Sequence, residues 1–366
     1  MYKVVGIVSV VIVGIFSYFS FFNNNEIKIG FLGGLSGKYS NLGHSLLNGM
    51  TLALEEENFK INNKEVKIIS KDDRQRPTFA KLAITEFKKE DVGLILGSGT
   101  SSMTKVALES FDENYMPTLI SASASSNTFS KKDDNFFRTQ VSQSEASFEK
   151  LSKYLLSNNL KNIYAIYDSN NRAYSESYAS NFESSFKKLG GKPFIKLKEL
   201  SKDFSHITED IKKRENIDAI IIIANTIDTA KLVQFLRISD IEKTVIGSSW
   251  SKSSKLLEDG GKYVEGMIFL TSYNNSSKNQ KYLNFVRKYE KRYKTKPSVF
   301  ASQSYETTKI IIEVLKKNEN IEEFKDTLLS IKKFEGLQGQ IEFDEYGDVK
   351  RDYILMTVKN GQYKPM

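Results

Sequence analysis

The sequence predicts an α/β protein made of two doubly wound lobes, each built around a parallel central sheet. Three observations lead to this prediction. The chain has 366 residues, which is enough for two domains of ordinary size. From Ile27 onward, short apolar runs alternate with amphipathic stretches, as strands and helices do in α/β proteins. This alternation runs through one array and then starts again, which indicates two such units.

The first array contains four predicted strands separated by three predicted helices. The second of these helices begins at a proline, a residue favoured in the first turn. The strands are Ile27–Leu32, Val66–Ser70, Gly93–Leu96 and Pro117–Ser121, and the helices lie near Ser45–Glu57, Pro77–Lys89 and Ser101–Phe111.

The second array repeats this order with four helices and four strands. Ile217–Ala224 is a continuous Ile-rich run, which is typical of a central strand covered on both faces. The other strands are Ile163–Tyr167, Phe194–Leu197 and Thr244–Ile246, and the helices are Glu145–Leu156, Tyr174–Leu189, Phe204–Arg214 and Ile227–Ile238.

The last part of the chain has a different pattern. Long helices are predicted at Lys278–Tyr293 and Phe300–Lys317, with a shorter one at Ile321–Ser330. Gln340–Phe343 and Tyr353–Val358 are interpreted as a pair of strands joined by a turn. Asn360-Gly361 indicates a further turn near the end.

Residues 1–26 form a separate segment that we interpret as an export signal or a membrane anchor. Val4 to Phe22 are uncharged and almost all apolar or small, and about 19 helical residues span the hydrocarbon core of a bilayer. Bulky aromatic residues stand where a signal peptidase would need small ones, which favours an uncleaved anchor. The single Lys3 before the run places the body on the far side of the inner membrane, in the periplasm or its equivalent.

Composition excludes several classes of function. The chain has no cysteine, so disulfides, thiol catalysis and cysteine-based zinc sites are absent. Its net charge of +8 is spread over 53 basic and 45 acidic residues without a nucleic-acid-binding motif, so we expect no nucleic-acid partner. We find no motif for a nucleophile with its base, a nucleotide or a metal, and we therefore expect neither catalysis nor a cofactor.

Two serine-rich segments follow neighbouring predicted strands, and they are the candidate ligand site. These are Gly97–Ser102 and Ser121–Asn127. Ligands of open α/β sheets bind at the carboxyl ends of strands. Small hydroxyl residues there let backbone N–H groups approach a ligand and add donors of their own. A helix that begins near Ser101 also favours an anion such as a carboxylate.

Further segments, taken in order, resemble the type I periplasmic binding proteins, in the branch of leucine/isoleucine/valine-binding components of ABC transporters. Order and spacing agree from about Ile27 to Gly361. The matching segments are Ile29–Gly37 with Gly43, Asn48-Gly49, Asp72-Asp73, Gly97–Thr104, Pro117–Ser126, Phe137–Thr139, Ala165–Asp168 with Tyr174, Ala230–Arg237, Val264–Gly266, Tyr305-Glu306, and Phe343-Asp344 with Gly347.

The resemblance implies two lobes that are joined by three crossovers and close over a ligand by a hinge. Lobe 1 is then expected to contain residues 27–143 and about 273–342. Lobe 2 is expected to contain residues 144–272 and about 343–366.

The resemblance also implies positions for the ligand. Ser101, Ser123 and Ser125 fall where a carboxylate is held, and Thr100 flanks them. Tyr174 falls where an aromatic side chain closes over the ligand. The remaining positions are Ser249 and Trp250.

Ser249 stands where amino-acid-binding relatives often carry an acid for the ligand ammonium. Asp228, Glu306 and Asp168 are the candidate substitutes for that acid. Trp250 beside it is either a stacking platform or part of the core.

The expected function is therefore extracytoplasmic binding of an amino acid, an amide or a small carboxylate. The expected membrane partner is the permease of an ABC importer. The alternative is a sensory role, in which the closed form signals to a membrane receptor or kinase.

Overall fold

The computed structural model describes residues 26–366 apart from 198–199, 201–202 and 215. The predicted membrane segment at residues 4–22 lies outside these residues. No helix within the described part is long and apolar enough to cross a bilayer.

The described residues form the following strands and helices. The strands are β1 (Glu26–Gly33), β2 (Lys60–Ile61), β3 (Lys64–Asp72), β4 (Leu94–Gly97), β5 (Thr118–Ser121), β6 (Phe136–Arg138), β7 (Asn162–Tyr167), β8 (Lys192–Leu197), β9 (Ala219–Ile223), β10 (Thr244–Gly247), β11 (Ile268–Thr271), β12 (Lys333–Gly336), β13 (Gly339–Glu342), β14 (Ile354–Lys359) and β15 (Gln362–Pro365). The helices are α1 (Ser40–Glu55), α2 (Pro77–Lys89), α3 (Ser101–Leu108), α4 (Glu145–Ser157), α5 (Arg172–Lys188), α6 (Ser205–Lys212), α7 (Thr226–Ile238), α8 (Ser254–Gly260), α9 (Gln280–Tyr293), α10 (Val299–Lys317) and α11 (Phe324–Ile331).

The first sheet has the strand order β2-β3-β1-β4-β5-β6 and is parallel except at its β2 edge. Ile29 and Phe31 of β1 are fully buried, as expected for a central strand with helices on both faces. On one face α10 packs against α1. A Cβ atom at Gly49 of α1 would lie 2.2 Å from the backbone oxygen of Ala301, so glycine permits this close approach.

The second sheet has the order β15-β14-β11-β10-β9-β7-β8. Its five strands from β8 to β11 are parallel, and β14 and β15 add an antiparallel hairpin at one edge. Ala219–Ile223 of β9 is completely buried, which confirms the predicted central strand. The two sheets confirm the predicted fold class of two α/β lobes with mostly parallel sheets.

The chain passes between the two lobes three times. The passages lie between β6 and α4, between β11 and α9, and between β13 and β14. We refer to them as the first, second and third crossover, at residues 139–144, 272–279 and 343–353. The lobe boundaries predicted from the sequence stay a prediction.

The predicted pairing of the last strands is wrong. β13 pairs with β12, a strand that sequence reasoning missed, while β14 pairs with β11 and β15. The turn after Phe343 does form, because the Asp344 carboxylate accepts the backbone N–H groups of Tyr346 and Asp348, both at 2.9 Å. It leads into the third crossover instead of a hairpin. The Asn360-Gly361 turn joins β14 to β15 as predicted.

Candidate functional site

A cavity between the lobes is lined by all seven residues that the sequence predicts at the ligand. It lies at the carboxyl ends of β4, β5 and β10. The unfilled space there is about 440 Å³, a figure that includes open solvent. The seven residues are Thr100, Ser101, Ser123, Ser125, Tyr174, Ser249 and Trp250.

Hydrogen bonds within the first lobe hold the two serine-rich loops together. The Ser101 hydroxyl accepts the backbone N–H groups of Ser125 and Ser126, at 3.2 and 3.3 Å. Thr100 caps α3 by accepting the Met103 N–H, at 3.4 Å. The loops are thereby fixed against each other before any ligand is considered.

The four hydroxyl groups of this wall, on Thr100, Ser101, Ser123 and Ser125, differ in whether their protons already have an acceptor. Thr100 donates to the side-chain oxygen of Gln75 at 2.9 Å, and Ser123 donates to the backbone oxygen of Gly99 at 3.0 Å. In contrast, the hydroxyl protons of Ser101 and Ser125 meet no acceptor in the described part of the chain. These two hydroxyl groups therefore remain free to donate.

The wall from the second lobe is aromatic. Trp250 meets Tyr174 edge to face with ring centroids 5.5 Å apart, and it stacks on Tyr39 of the first lobe at 6.1 Å. The Tyr174 hydroxyl lies 3.4 Å from that of Ser249, and burial raises the pKa of Tyr174. Trp250 is only 6% exposed, so it serves both as core packing and as a face of the cavity.

The cavity is electrically neutral, because none of the side chains that line it in the described structure is charged. The structure does not bring Asp228 or Glu306, the candidate partners for an ammonium, to its wall. Asp228 pairs with Lys38 at 2.8 Å, and Glu306 pairs with Arg351 at 2.9 Å. The Asp168 carboxylate is likewise absent from the wall, and it accepts the Asn170 N–H at 2.9 Å.

The two lobes touch around the cavity through polar contacts. The Ser102 N–H donates to the side-chain oxygen of Asn171 at 3.1 Å, and the Tyr39 hydroxyl donates to Asp168 at 3.4 Å. Burial, and then the negative charge of Asp168, raises the pKa of Tyr39. With the ion pair between Lys38 and Asp228, these contacts join the two lobes.

Comparison with family models matches residues 26–362 to the model described as "Periplasmic binding protein". The chain belongs to the periplasmic binding protein family. The family and its structural neighbours are binding proteins, not enzymes, and membership implies a site of action outside the cytoplasm. A comparison with curated protein sequences finds no match.

Solved structures share the fold of this periplasmic binding protein at low sequence identity. A leucine-binding protein from Thermotoga maritima has a TM-score of 0.85 at 22% identity, over 93% of this chain and 97% of its own. The isoleucine complex of a branched-chain amino acid transporter substrate-binding protein from Streptococcus pneumoniae gives 0.83 at 24%, over 93% and 98%. An ABC transporter solute-binding protein from R. palustris with benzoate gives 0.85 at 17%, over 93% and 95%.

Sequence reasoning missed about half of the residues around the cavity of this periplasmic binding protein. Gln140 follows the recognised segment Phe137–Thr139, and Asn171 lies three residues before Tyr174, so neighbourhood to matched segments is a signal that could have found both. The others lie on α10, at the end of β11 and in the second crossover, where no motif marks them. The missed residues are Gln140, Asn171, Thr271, Ser272, Val299, Phe300 and Gln303, whereas Gly99 lies within the predicted segment Gly97–Ser102.

A larger groove of about 1890 Å³ lies outside the first and third crossovers. Its lining includes Ser142, Lys150, Asp348 and Tyr353, and it shares no residue with the interlobe cavity. This groove lies along the crossovers and not between the carboxyl ends of the two sheets, where ligands of such folds bind. We therefore do not assign the ligand to it.

Proposed function

We propose that this protein binds a small carboxylate between its lobes and delivers it to the permease of an ABC importer. The observation that carries the proposal is the composition of the cavity wall. Two free hydroxyl donors, Ser101 and Ser125, lie beside the amino end of α3, and no charged side chain lines the cavity.

A carboxylate suits the wall of the first lobe. The amino end of α3 offers backbone N–H groups and a positive dipole end, and Ser101 and Ser125 add hydroxyl donors. Hydrogen bonds to a charged acceptor are about twice as strong as those between neutral groups. Neutral donors can therefore hold a carboxylate here without a basic side chain.

The neutral wall favours a carboxylate that has no ammonium group. A buried ammonium without a counter-charge costs several kcal/mol, and neither Asp228 nor Glu306 reaches the cavity. The aromatic walls from Trp250, Tyr174 and Phe300 suit an aryl or short aliphatic body. The benzoate complex of the R. palustris relative supports this choice.

An α-amino acid is the second candidate. It is favoured by the leucine-binding and isoleucine-bound relatives, whose fold matches over almost their whole length. Under this alternative the ammonium would be met by neutral oxygens alone.

Transport is preferred to sensing because the solved relatives include components of ABC transporters. The membrane anchor at residues 4–22 stays a prediction, and it would keep the binding body beside a permease. Deletion of a neighbouring permease gene should abolish uptake of the ligand if the proposal is correct.

The direct test is a thermal-shift panel of amino acids, amides, benzoates and aliphatic carboxylates on the full chain. A ligand that binds only the folded form raises the melting temperature by mass action. Carboxylates without an ammonium group should give the largest shifts. Ser125→Ala should weaken their binding by about tenfold or more, since a hydrogen bond to a charged group is lost.

The matched control is Ser110→Ala, because Ser110 lies two residues after the carboxyl end of α3. Its hydroxyl donates to the Val106 backbone oxygen at 2.6 Å and lies outside the cavity, so ligand affinity should not change. Carboxylate affinity that is equal in Ser125→Ala and the parent protein would contradict the proposed binding mode.

A further inference from the structure

Two glutamines, Gln140 and Gln303, meet at the cavity wall and come from different parts of the chain. Gln140 lies in the first crossover, and Gln303 lies in the second turn of α10. The Gln303 amino group donates to the Gln140 side-chain oxygen. Both residues are buried, at 9% and 3% exposure, so this polar pair is largely removed from solvent.

The pair leaves one acceptor and one donor without a protein partner. The Gln303 side-chain oxygen is buried and meets no donor within the described structure. The Gln140 amino group likewise has no acceptor among the described residues. Reversing both amide groups would exchange the roles of the two residues, but one oxygen and one amino group would still be left over.

The backbone around the pair is held firmly. Thr139, next to Gln140, hydrogen-bonds through its hydroxyl to that of Thr307 at 2.6 Å, and the Thr307 hydroxyl also donates to the Gln303 backbone oxygen at 2.8 Å. The crossover and α10 are therefore pinned beside the two glutamines. Such support favours a fixed recognition geometry over a flexible polar contact.

We infer that Gln140 and Gln303 recognise a primary carboxamide, so that the ligand carries a carboxamide in addition to its carboxylate. A carboxamide offers one oxygen and one amino group, which match the free donor and the free acceptor of the pair. A carboxylate would place a second acceptor against the Gln303 oxygen. An ammonium would leave the Gln140 amino group unpaired.

This inference rests on the proposed function, because it assumes that Ser101 and Ser125 hold the carboxylate end. It adds the chemical identity of the other end. The spacer between the ends contacts Trp250 and Phe300, so it should be a short aliphatic chain or an aromatic ring.

The test measures affinities of the full chain by calorimetry for two matched probe sets. The aryl set is 4-carbamoylbenzoate, benzene-1,4-dicarboxylate and benzoate, and the aliphatic set is succinamate, succinate and butyrate. In at least one set the carboxamide should bind about tenfold more tightly than both of its relatives, since they leave buried polar groups unpaired. Equal or tighter binding of the dicarboxylate or the plain acid in both sets overturns the inference.

Two variants of Gln303 then assign the preference to the pair. Gln303→Met should remove the preference for the carboxamide, so that the affinity ratio of carboxamide to plain acid falls to about one. Gln303→Glu supplies a negative charge, so 4-(aminomethyl)benzoate or 4-aminobutyrate should gain about tenfold. A role that is only structural would change the melting temperature and leave these affinity ratios as they are.

Gln143→Met is the matched control. Gln143 lies in the same crossover and is buried, and its side-chain oxygen also meets no donor among the described residues. It lines the larger groove along the first and third crossovers instead of the interlobe cavity. Its replacement should preserve the carboxamide preference, and the inference fails if Gln143→Met removes it. It also fails if Gln303→Met and Gln303→Glu both retain the parent ratios.

The outcomes separate this inference from the function on which it rests. Plain carboxylates that bind and depend on Ser125, without any preference for the carboxamide, refute the inference alone. A panel without any binding, or binding that ignores Ser125→Ala, refutes the proposed function and the inference together.

Discussion

A buried charged side chain contacts or adjoins each of the three crossovers, whereas the cavity that the first and second crossovers border is lined by neutral side chains. Next to the first crossover, the fully buried Arg138 of β6 donates to Asp348 of the third crossover at 2.5 Å. Arg351 of the third crossover pairs with Glu306 of α10 at 2.9 Å. The contrast indicates that ionic contacts fix the first and third crossovers, and it agrees with our proposal that the ligand is recognised by neutral donors and acceptors.

Arg138 makes the most extensive of these ionic contacts. Besides Asp348, its guanidinium donates to the backbone oxygen of Ser126 and the hydroxyl of Ser130, both at 2.7 Å. One side chain thus ties together the end of β6, the third crossover and the loop that follows the candidate ligand-binding serines. The position of Ser125 therefore depends on a charge that does not line the cavity.

The largest expected effect comes from Arg138→Met. The change leaves the mostly buried Asp348 carboxylate and several oxygens unpaired, so the free energy of unfolding should fall by about 3–5 kcal/mol. Chemical denaturation measures the loss. Lys153→Met, which breaks an exposed pair with Glu149 on one helix, should have no measurable effect. Equal stability of both variants would remove the proposed role of buried charge at the crossovers.

Lys252 differs from Arg138 and Glu306, because it is a buried basic group without an acidic partner in the described structure. It donates to the Asn275 side chain in the second crossover, and its ammonium lies 4.9 Å from the centre of the Tyr363 ring. Burial lowers the pKa of Lys252 from 10.5 to about 7. Between pH 7 and pH 10.5, Lys252 is therefore protonated in the unfolded chain and mostly neutral in the folded chain.

Stability should consequently depend on pH through Lys252. Above pH 10.5 Lys252 is neutral in both the folded and the unfolded chain, so its burial costs no stability through its charge. As the pH falls toward about 7 the unfolded chain takes up a proton first, and the free energy of unfolding falls. The loss approaches about 1 kcal/mol for each pH unit. Lys252→Met should flatten this slope in denaturation curves at pH 7, 8 and 9, and it should stabilise the protein most at pH 7. An unchanged slope would show that the ammonium is not desolvated in the fold.

Much of the fold could be predicted from the sequence, because burial leaves a direct pattern in it. The Ile-rich β9 and the proline at the start of α2 determine local structure through adjacent residues. Pairing between distant strands leaves no such pattern. β13 is too short to indicate whether it pairs with β12 or β14, and the small strand β6 carries only three residues.

The candidate site divides in the same way. Ser101, Ser123 and Ser125 stand in serine-rich loops after strands. Position and residue type predict these loops, and the family resemblance selects the three serines within them. The sequence could not show which hydroxyl protons remain free, because that depends on contacts such as the Ser101 oxygen with two amides of the other loop. It also could not show that Gln140 meets Gln303, since 163 positions separate them.

The smallest expected effect concerns a partly exposed ion pair between the two lobes. Lys38 of the first lobe and Asp228 of the second lobe are 2.8 Å apart, with side chains 37% and 14% exposed. Surface pairs contribute little to stability. This one joins the lobes, however, so Lys38→Met should reduce the population of the closed form.

Ligand affinity in Lys38→Met should fall about two- to threefold at low salt, with a smaller change at high salt, because salt screens exposed charges. Lys188→Met is the matched control, since Lys188 pairs with Glu145 at the same distance of 2.8 Å within one lobe. Calorimetry on both variants decides the matter. An equal loss in both would mean that charge acts through the net field of the protein, and no loss in either would mean that closure depends on Tyr39, Trp250 and the ligand itself.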